Sequence, residues 1–109
     1  MDSILKSVKQ RVGLNSDHTA FDEELIEDIN TEFVTLHQLG VGPEKVASIS
    51  SEMETWTDIF GDLDILEAVK TYVGLRVRLT FDPPASSSVA EAMKRKVEEL
   101  EWRLTNHTT

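Results

Sequence analysis

The sequence predicts an all-α fold, a small bundle of four to five helices with a loop-rich middle and a C-terminal helix after a Pro-Pro break. Apolar residues recur at helical spacing over most of the chain, and glycines and prolines interrupt that pattern at a few points. The chain has 109 residues, of which 39% are hydrophobic. That is enough for one modest core, so we expect residues 1–109 to form a single domain.

Apolar residues three and four positions apart mark the first two helices. They predict a short helix over residues 2–12, which Gly13 ends. The pattern over residues 21–39 is the clearest in the chain, because its apolar residues fall within an arc of about 140° on a helical wheel. The expected N-terminal cap of this second helix is Thr19 or Asp17.

The middle of the chain is harder to interpret than its ends. Residues 40–62 show no sustained period and are predicted to be rich in loops. Residues 63–81 fit a continuous helix, with Asp62 as its cap, although the half after Gly74 also alternates like a strand. We favour the helix over residues 75–81 and expect it to be the central element, because its apolar arc spans roughly 200°.

A last helix is predicted over residues 89–105, after the break at Asp82-Pro83-Pro84. Ser88 and Glu91 have the spacing of a capping box at its start. A narrow apolar stripe follows this helix close to coiled-coil spacing: Val89, Met93, Val97, Leu100 and Leu104.

The charge of the chain is unevenly distributed. Its net charge is −9, and residues 17–67 alone carry fourteen acids and one base, between two ends that are each mildly basic. Such a block disfavours wrapping of DNA but suits a wall past which DNA slides, or docking on a basic protein surface. The candidate residues of this acidic channel or docking face are Glu23, Glu24, Glu27, Asp28, Glu52 and Glu54.

No pattern in the sequence indicates a catalytic, cofactor or metal site. Cysteine is absent, and the three histidines are far apart in the sequence. No glycine-rich phosphate loop or strained serine elbow is found, and the acids do not have the spacing of a calcium loop. We therefore expect a protein without enzymatic activity and without a cofactor.

Several basic and aromatic residues are candidates for contacts with another subunit or partner. Arg76 falls inside the apolar arc of its helix, so its charge requires either an internal salt bridge or a pair across a subunit boundary. Trp102 lies far around its helix from the apolar stripe and suits an interface, whereas Trp56 is expected in the core. The candidate interface residues are Arg76, Arg78, Lys94, Arg95, Trp102 and Arg103.

The order and spacing of several segments resemble a known family. These segments are residues 38–43, 55–58, 66–73, 75–84 and 98–104. Together they are similar to the small head–tail connector proteins of long-tailed bacteriophages, also called head completion or adaptor proteins. None of these segments is a chemical signature, and no catalytic residue is carried over from the family.

The resemblance implies a structural virion protein that is encoded by a phage or a prophage. Proteins of this type form a ring, commonly of about a dozen copies, beneath the portal. The ring extends the DNA channel and provides the platform for tail attachment. The implied partners are further copies of the chain, the portal protein, a downstream stopper or tail protein, and DNA that passes without sequence-specific binding. The implied location is the head–tail junction of the virion, and the bacterial host cytoplasm before assembly, with no membrane involved.

A second hypothesis, from a different class, is an acidic inhibitor that mimics DNA and occupies the basic site of a nucleic-acid-binding protein. Its support is the acidic block of residues 17–67. This hypothesis requires acids in regular rows, and the predicted loops over residues 40–62 argue against such regularity.

Overall fold

The computed structural model describes residues 2–61 and 63–107, which fold as the predicted all-α bundle. Within these residues there are five helices and one isolated antiparallel bridge, between Ser3 and Thr55. The helices are α1 (Ile4–Arg11), α2 (Asp22–Gln38), α3 (Trp56–Phe60), α4 (Leu66–Phe81) and α5 (Ser87–His107).

Helix α4 is the central element, as its wide apolar arc predicts. It contacts each of the other four helices. Its residues Val69, Tyr72, Val73 and Val77 are almost fully inaccessible to solvent. The helix continues to Phe81, so the strand alternative for residues 75–81 is wrong. The predicted cap Asp62 lies outside the described residues.

Helix α2 begins without the predicted side-chain cap. Phe21 precedes the helix and makes no capping hydrogen bond, so the prediction of Thr19 or Asp17 as the cap is wrong. The residues before the helix are held in a turn instead, in which the backbone N–H of Asp17 donates to Asn15 Oδ1 at 2.9 Å. Three acids in the first turn of α2 lie where the helix dipole favours negative charge.

The loop-rich middle contains a short helix, α3, that the sequence analysis did not predict. The Thr55 hydroxyl caps it by accepting from the Asp58 N–H at 3.0 Å. Trp56 is 1% exposed and packs edge-on against Phe33, which confirms its predicted place in the core. Its indole Nε1 donates to Ser7 Oγ at 2.9 Å, so α3 is tied to α1.

The first residues of the chain clamp the segment that leads into α3. The Ile4 N–H donates to the Glu54 carbonyl at 3.1 Å, and the Trp56 N–H donates to the Asp2 carbonyl at 3.1 Å. Asp2 also accepts from the Thr57 hydroxyl at 2.6 Å and pairs with Lys70 at 3.2 Å. We call these contacts the N-terminal clamp. They provide hydrogen-bond partners for backbone groups of the loop-rich middle, which in a regular helix would bond to one another.

Helix α5 begins earlier than predicted. The Ser86 carbonyl accepts from the Ala90 N–H at 3.0 Å, and its hydroxyl accepts from the Val89 N–H at 3.4 Å. Ser86 therefore caps the helix, and the capping box of Ser88 and Glu91 is wrong, because Ser88 already lies inside the helix. Of the predicted stripe, Val97, Leu100 and Leu104 are buried, Met93 is half-buried and Val89 is exposed.

Candidate interaction surfaces

A partly buried ion cluster joins helices α2, α4 and α5. The Arg76 Nε donates to Glu32 Oε1 at 2.7 Å, and the Arg76 Nη1 lies 3.7 Å from Glu101 Oε2. The Tyr72 hydroxyl donates to the same Glu101 oxygen at 2.8 Å. Of the two alternatives for Arg76, the structure has the internal salt bridge. A role of Arg76 at a subunit boundary stays a prediction.

The surroundings of the ion cluster keep Tyr72 and Arg76 protonated, as their contacts require. Burial, together with the hydrogen bond to Glu101, raises the pKa of Tyr72, so its hydroxyl remains a donor. Burial alone would lower the pKa of Arg76, but the hydrogen bond and charge of Glu32 raise it overall. Glu32 is 5% exposed, and a carboxylate at that depth is costly without such a partner. The cluster therefore holds three helices together.

A second feature, here called the basic pocket, opens between the end of α1, α4 and α5. It has a volume of about 270 Å³ and is lined by Arg11, Gly74, Leu75, Arg78 and Met93. Gly74 and Arg78 lie roughly 160° to 200° around α4 from Arg76, at 100° per residue, so the pocket and the ion cluster occupy different sides of the helix. A Cβ at Gly74 would overlap Arg11 Cδ, so the glycine allows the arginine stem to lie along α4.

Neither guanidinium of the basic pocket pairs with a carboxylate in the part of the chain that the structure describes. Arg11 and Arg78 lie in the last turns of α1 and α4, where the helix dipole favours cations. The Arg78 Nε donates to the Asp82 carbonyl at 3.1 Å. The pocket thus presents two cations beside the apolar side chains of Leu75 and Met93, in a protein whose net charge is −9.

The other predicted interface residues lie along the exposed side of α5. Trp102 is 68% exposed. Lys94 and Arg103 are also exposed, and each pairs with a glutamate of the same helix at 3.5 Å, whereas Arg95 is exposed without such a pair among the described residues. Exposed pairs within one helix contribute little to stability, so these cations remain accessible to a partner. Their role in an interface stays a prediction.

Three of the six predicted acids share the outer side of α2. Glu23, Glu24 and Glu27 are exposed, and their carboxylates have no cation partner within the described ranges. Val34 follows Glu27 by seven residues, or about two turns, and is 43% exposed on the same side. These four residues are called the acidic face below.

The field of the acidic face is strong enough to affect a neighbouring carboxylate. Asp28 is half-buried, and its Oδ2 has no hydrogen-bond partner. Burial raises the pKa of Asp28, and the charges of Glu24, Glu32 and Glu27 raise it further. Glu24, Glu27 and Asp28 thus have no cation partner within the described chain, whereas Glu32 pairs with Arg76.

Glu52 and Glu54 lie apart from α2, in the loop that the N-terminal clamp holds. The Glu54 carboxylate accepts hydrogen bonds from the backbone and hydroxyl groups of Ser50 and Ser51, at 2.8 to 3.1 Å. Burial acts to raise the pKa of Glu54, but these hydrogen bonds outweigh it and lower the pKa to about 2. Glu52 is exposed and lies 4.0 Å from Lys6 Nζ. A docking role for these two acids stays a prediction.

The histidines and acids do not gather into a metal site. Among the described residues, no three His, Asp or Glu side chains lie close enough together to hold a metal ion. The His18 ring lies tilted against that of Phe21, with ring centroids 5.6 Å apart, and His37 is exposed. None of the described helices combines the length and the apolar composition that crossing a membrane requires.

Comparison with known families decides where the chain belongs. The family model described as phage connector protein matches residues 4–109, a range that includes all five helices, the basic pocket and the acidic face. The chain belongs to the phage connector family. No curated protein and no solved structure matches it. The resemblance to head–tail connectors that the sequence suggested is thus confirmed for the family, and the connector is a structural protein of a phage.

Two residues, one in the ion cluster and one in the basic pocket, were not predicted from the sequence. Glu32 lies seven residues after the buried Leu25 and so falls inside the apolar arc of α2. This position in the sequence indicates that Glu32 needs a buried partner. Arg11 offered a weaker signal, because it is the last residue of α1 and its position in the pocket depends on Gly74, far along the chain.

Proposed function

We propose that this connector forms a ring beneath the portal of the filled head, extends the DNA channel and provides the platform for tail attachment. The observation that carries the proposal is the family match over residues 4–109. Residues 1–109 act as one head–tail connector domain, without enzymatic activity or a cofactor.

The surfaces of the chain support assembly into a closed ring. A ring of identical subunits needs two different and complementary faces on each subunit. The basic pocket and the acidic face are two such surfaces of opposite charge, and neither forms an ion pair within the described residues. Trp102, 68% exposed on α5, is a third candidate contact, for the neighbour, the portal or the stopper protein.

The charge of the chain supports a channel through which DNA passes without being held. With a net charge of −9, the protein as a whole repels the phosphate backbone. Such a wall lets DNA pass during packaging and ejection. The portal on one side and a stopper or tail protein on the other complete the set of proposed partners.

The proposed location is the head–tail junction of the virion, after synthesis in the cytoplasm of the bacterial host from a phage or prophage gene. The family match gives no support to the alternative hypothesis of a DNA-mimic inhibitor. The exposed acids of α2 are accounted for by assembly with other subunits and by the channel wall.

Deleting the gene from its phage or prophage tests the proposed function. We expect DNA-containing heads and separate tails that do not join, and joined particles when the wild-type chain is supplied from a plasmid. A plasmid that carries the Lys45→Ala variant serves as a control, because Lys45 is exposed in the loop after α2. This variant should restore the joining of heads and tails as fully as the wild-type chain does. Joined particles in the deletion strain, counted by electron microscopy and by plaque titre, would refute the proposal.

A further inference from the structure

We infer that the basic pocket of one copy receives the acidic face of a second copy of this chain. The inference rests on the proposed ring and names the two surfaces that close it. Carboxylates from α2 of one subunit lie against Arg11 and Arg78 of its neighbour, and Val34 lies near the apolar part of the pocket formed by Leu75 and Met93.

The chemistry of the pocket favours a carboxylate. A guanidinium donates two parallel hydrogen bonds to a carboxylate, and such bonds are stronger than those between neutral groups. Leu75 and Met93 exclude part of the water beside the two cations, which lowers the local screening. A pocket of about 270 Å³ has room for acidic side chains but not for a whole helix.

The charge distribution favours a second copy of this chain as the occupant. Glu23, Glu24 and Glu27 are exposed, and no cation pairs with their carboxylates among the described residues. The pocket's two arginines, on α1 and α4, equally lack a carboxylate among the described residues. Each copy thus supplies what the other needs.

The two surfaces lie on different elements, so the contact joins unlike faces of two subunits. Contacts of that kind continue from subunit to subunit and close into a ring when the rotation permits. A pocket of this size gives a weak pairwise contact, and closure of the ring makes the assembly avid. We therefore expect assembly to depend steeply on concentration or on a portal that gathers the subunits.

Charge reversal in the pocket tests the pairing. We expect Arg78→Glu to weaken assembly by about tenfold or more, measured as the concentration at which half of the protein is in multimers, with and without the cognate portal. Lys45→Glu makes the same change of charge on an exposed loop and should assemble like the wild type. Adding Glu27→Arg to Arg78→Glu should restore assembly, because it re-creates the ion pair with its charges exchanged.

Gly74→Ala perturbs the pocket without a change of charge. The new Cβ displaces Arg11, so assembly should weaken while the thermal unfolding midpoint stays within a few degrees of the wild type. The unfolding midpoint of Arg78→Glu, measured in parallel, separates a lost contact from a lost fold.

Crosslinking locates the contact directly, because the chain has no cysteine of its own. Val34→Cys and Ala92→Cys place single thiols beside the acidic face and beside Met93, respectively. With a short bis-maleimide, a mixture of the two variants should give a covalent heterodimer well above the homodimers of either variant alone. A chain that carries both cysteines should give a ladder of multimers.

The results of these experiments distinguish a wrong pairing of the two surfaces from a wrong proposal of the ring. Ring-sized assemblies that show no crosslink between positions 34 and 92 and that tolerate Arg78→Glu would overturn the pairing and leave the ring intact. An Arg78→Glu chain that forms rings but no longer binds the portal would assign the pocket to the portal and overturn the pairing. A monomer at all concentrations, with and without portal, would overturn both.

Discussion

Charged residues on the apolar faces of helices form ion pairs that connect the helices of this protein. Glu32 of α2 and Arg76 of α4 each fall within the apolar arc of their own helix, and they pair with each other at 2.7 Å. Lys9 of α1 follows the same rule, since its ammonium group is fully buried and lies 2.7 Å from Asp22. In each case the cost of burying a charge is offset by a partner on another helix.

Arg76→Ala should reduce the free energy of unfolding by about 3 kcal/mol, the lower end for a broken buried pair, because Arg76 is itself 35% exposed. The loss arises because Glu32 is left buried without its cation. Arg103→Ala is the control and should cost less than about 0.5 kcal/mol, since Arg103 pairs on the surface with an exposed glutamate. Urea unfolding followed by circular dichroism measures both variants, and equal losses would contradict the role of the ion cluster.

Asp28→Asn should stabilise the protein by about 0.5 to 1 kcal/mol at pH 7, because it removes a partly buried charge and the like-charge repulsion with Glu24 and Glu32, each four positions away. Because the folded protein raises the pKa of Asp28, the wild type recovers this stability as the pH falls through that pKa and the group is protonated. The gain should therefore shrink as the pH falls through the raised pKa and vanish below the ordinary value of 3.8. A gain that is independent of pH would refute the electrostatic explanation.

Helices with a sustained period could be predicted at the scale of the element, and those without one could not. The apolar arcs of α2 and α4 predicted both helices and the central place of α4. Helix α3 has five residues, too few for a period, and is fixed by its Thr55 cap and by packing of Trp56. The caps were missed because a serine or an acid near a helix start can point in several directions until tertiary contacts select one.

Ser86→Ala should destabilise α5 by about 0.5 to 1 kcal/mol, since its hydroxyl accepts the Val89 N–H at the first turn. Ser88→Ala should have a smaller effect, because Ser88 lies inside the helix and alanine is the better helix former there. Thermal unfolding of the two variants compares the positions directly. A larger loss for Ser88→Ala would mean that the sequence-predicted capping box is the true cap.

Glu54 organises the loop between α2 and α3 through its hydrogen bonds to Ser50 and Ser51. Its folded pKa of about 2 lies below the ordinary value of 4.5, so its contribution is complete above pH 4.5 and is lost as the pH falls toward 2. Glu54→Gln should cost about 1 kcal/mol at pH 7, reduced by solvent screening, and the cost should vanish near pH 2. The exposed Glu44→Gln should follow the wild-type profile of stability against pH.

At the scale of the whole molecule, the charge pattern could be read from the sequence but its geometry could not. The acids of residues 17–67 do not form one surface: Glu32 is buried in an ion pair, Glu54 is hydrogen-bonded in a loop, and Glu23, Glu24 and Glu27 are exposed on α2. The basic pocket combines Arg11 with Arg78, which are far apart in the sequence, and sequence spacing gives no sign that they meet. Only packing of α1 against α4 at Gly74 brings them together.

Family membership and surface chemistry agree at this scale. The phage connector family covers residues 4–109, and the described chain presents unpaired surfaces of opposite sign. In the proposed ring, each subunit would offer both surfaces to its two neighbours. We therefore expect this chain to assemble with copies of itself.

The measurement that tests this claim most directly is the solution mass, obtained by light scattering on a sizing column across a range of concentration, with and without the cognate portal. We expect a ring-sized species, of many times the 12.3 kDa subunit mass, in at least one of the two conditions. A species that stays a monomer or dimer in both conditions would contradict the account.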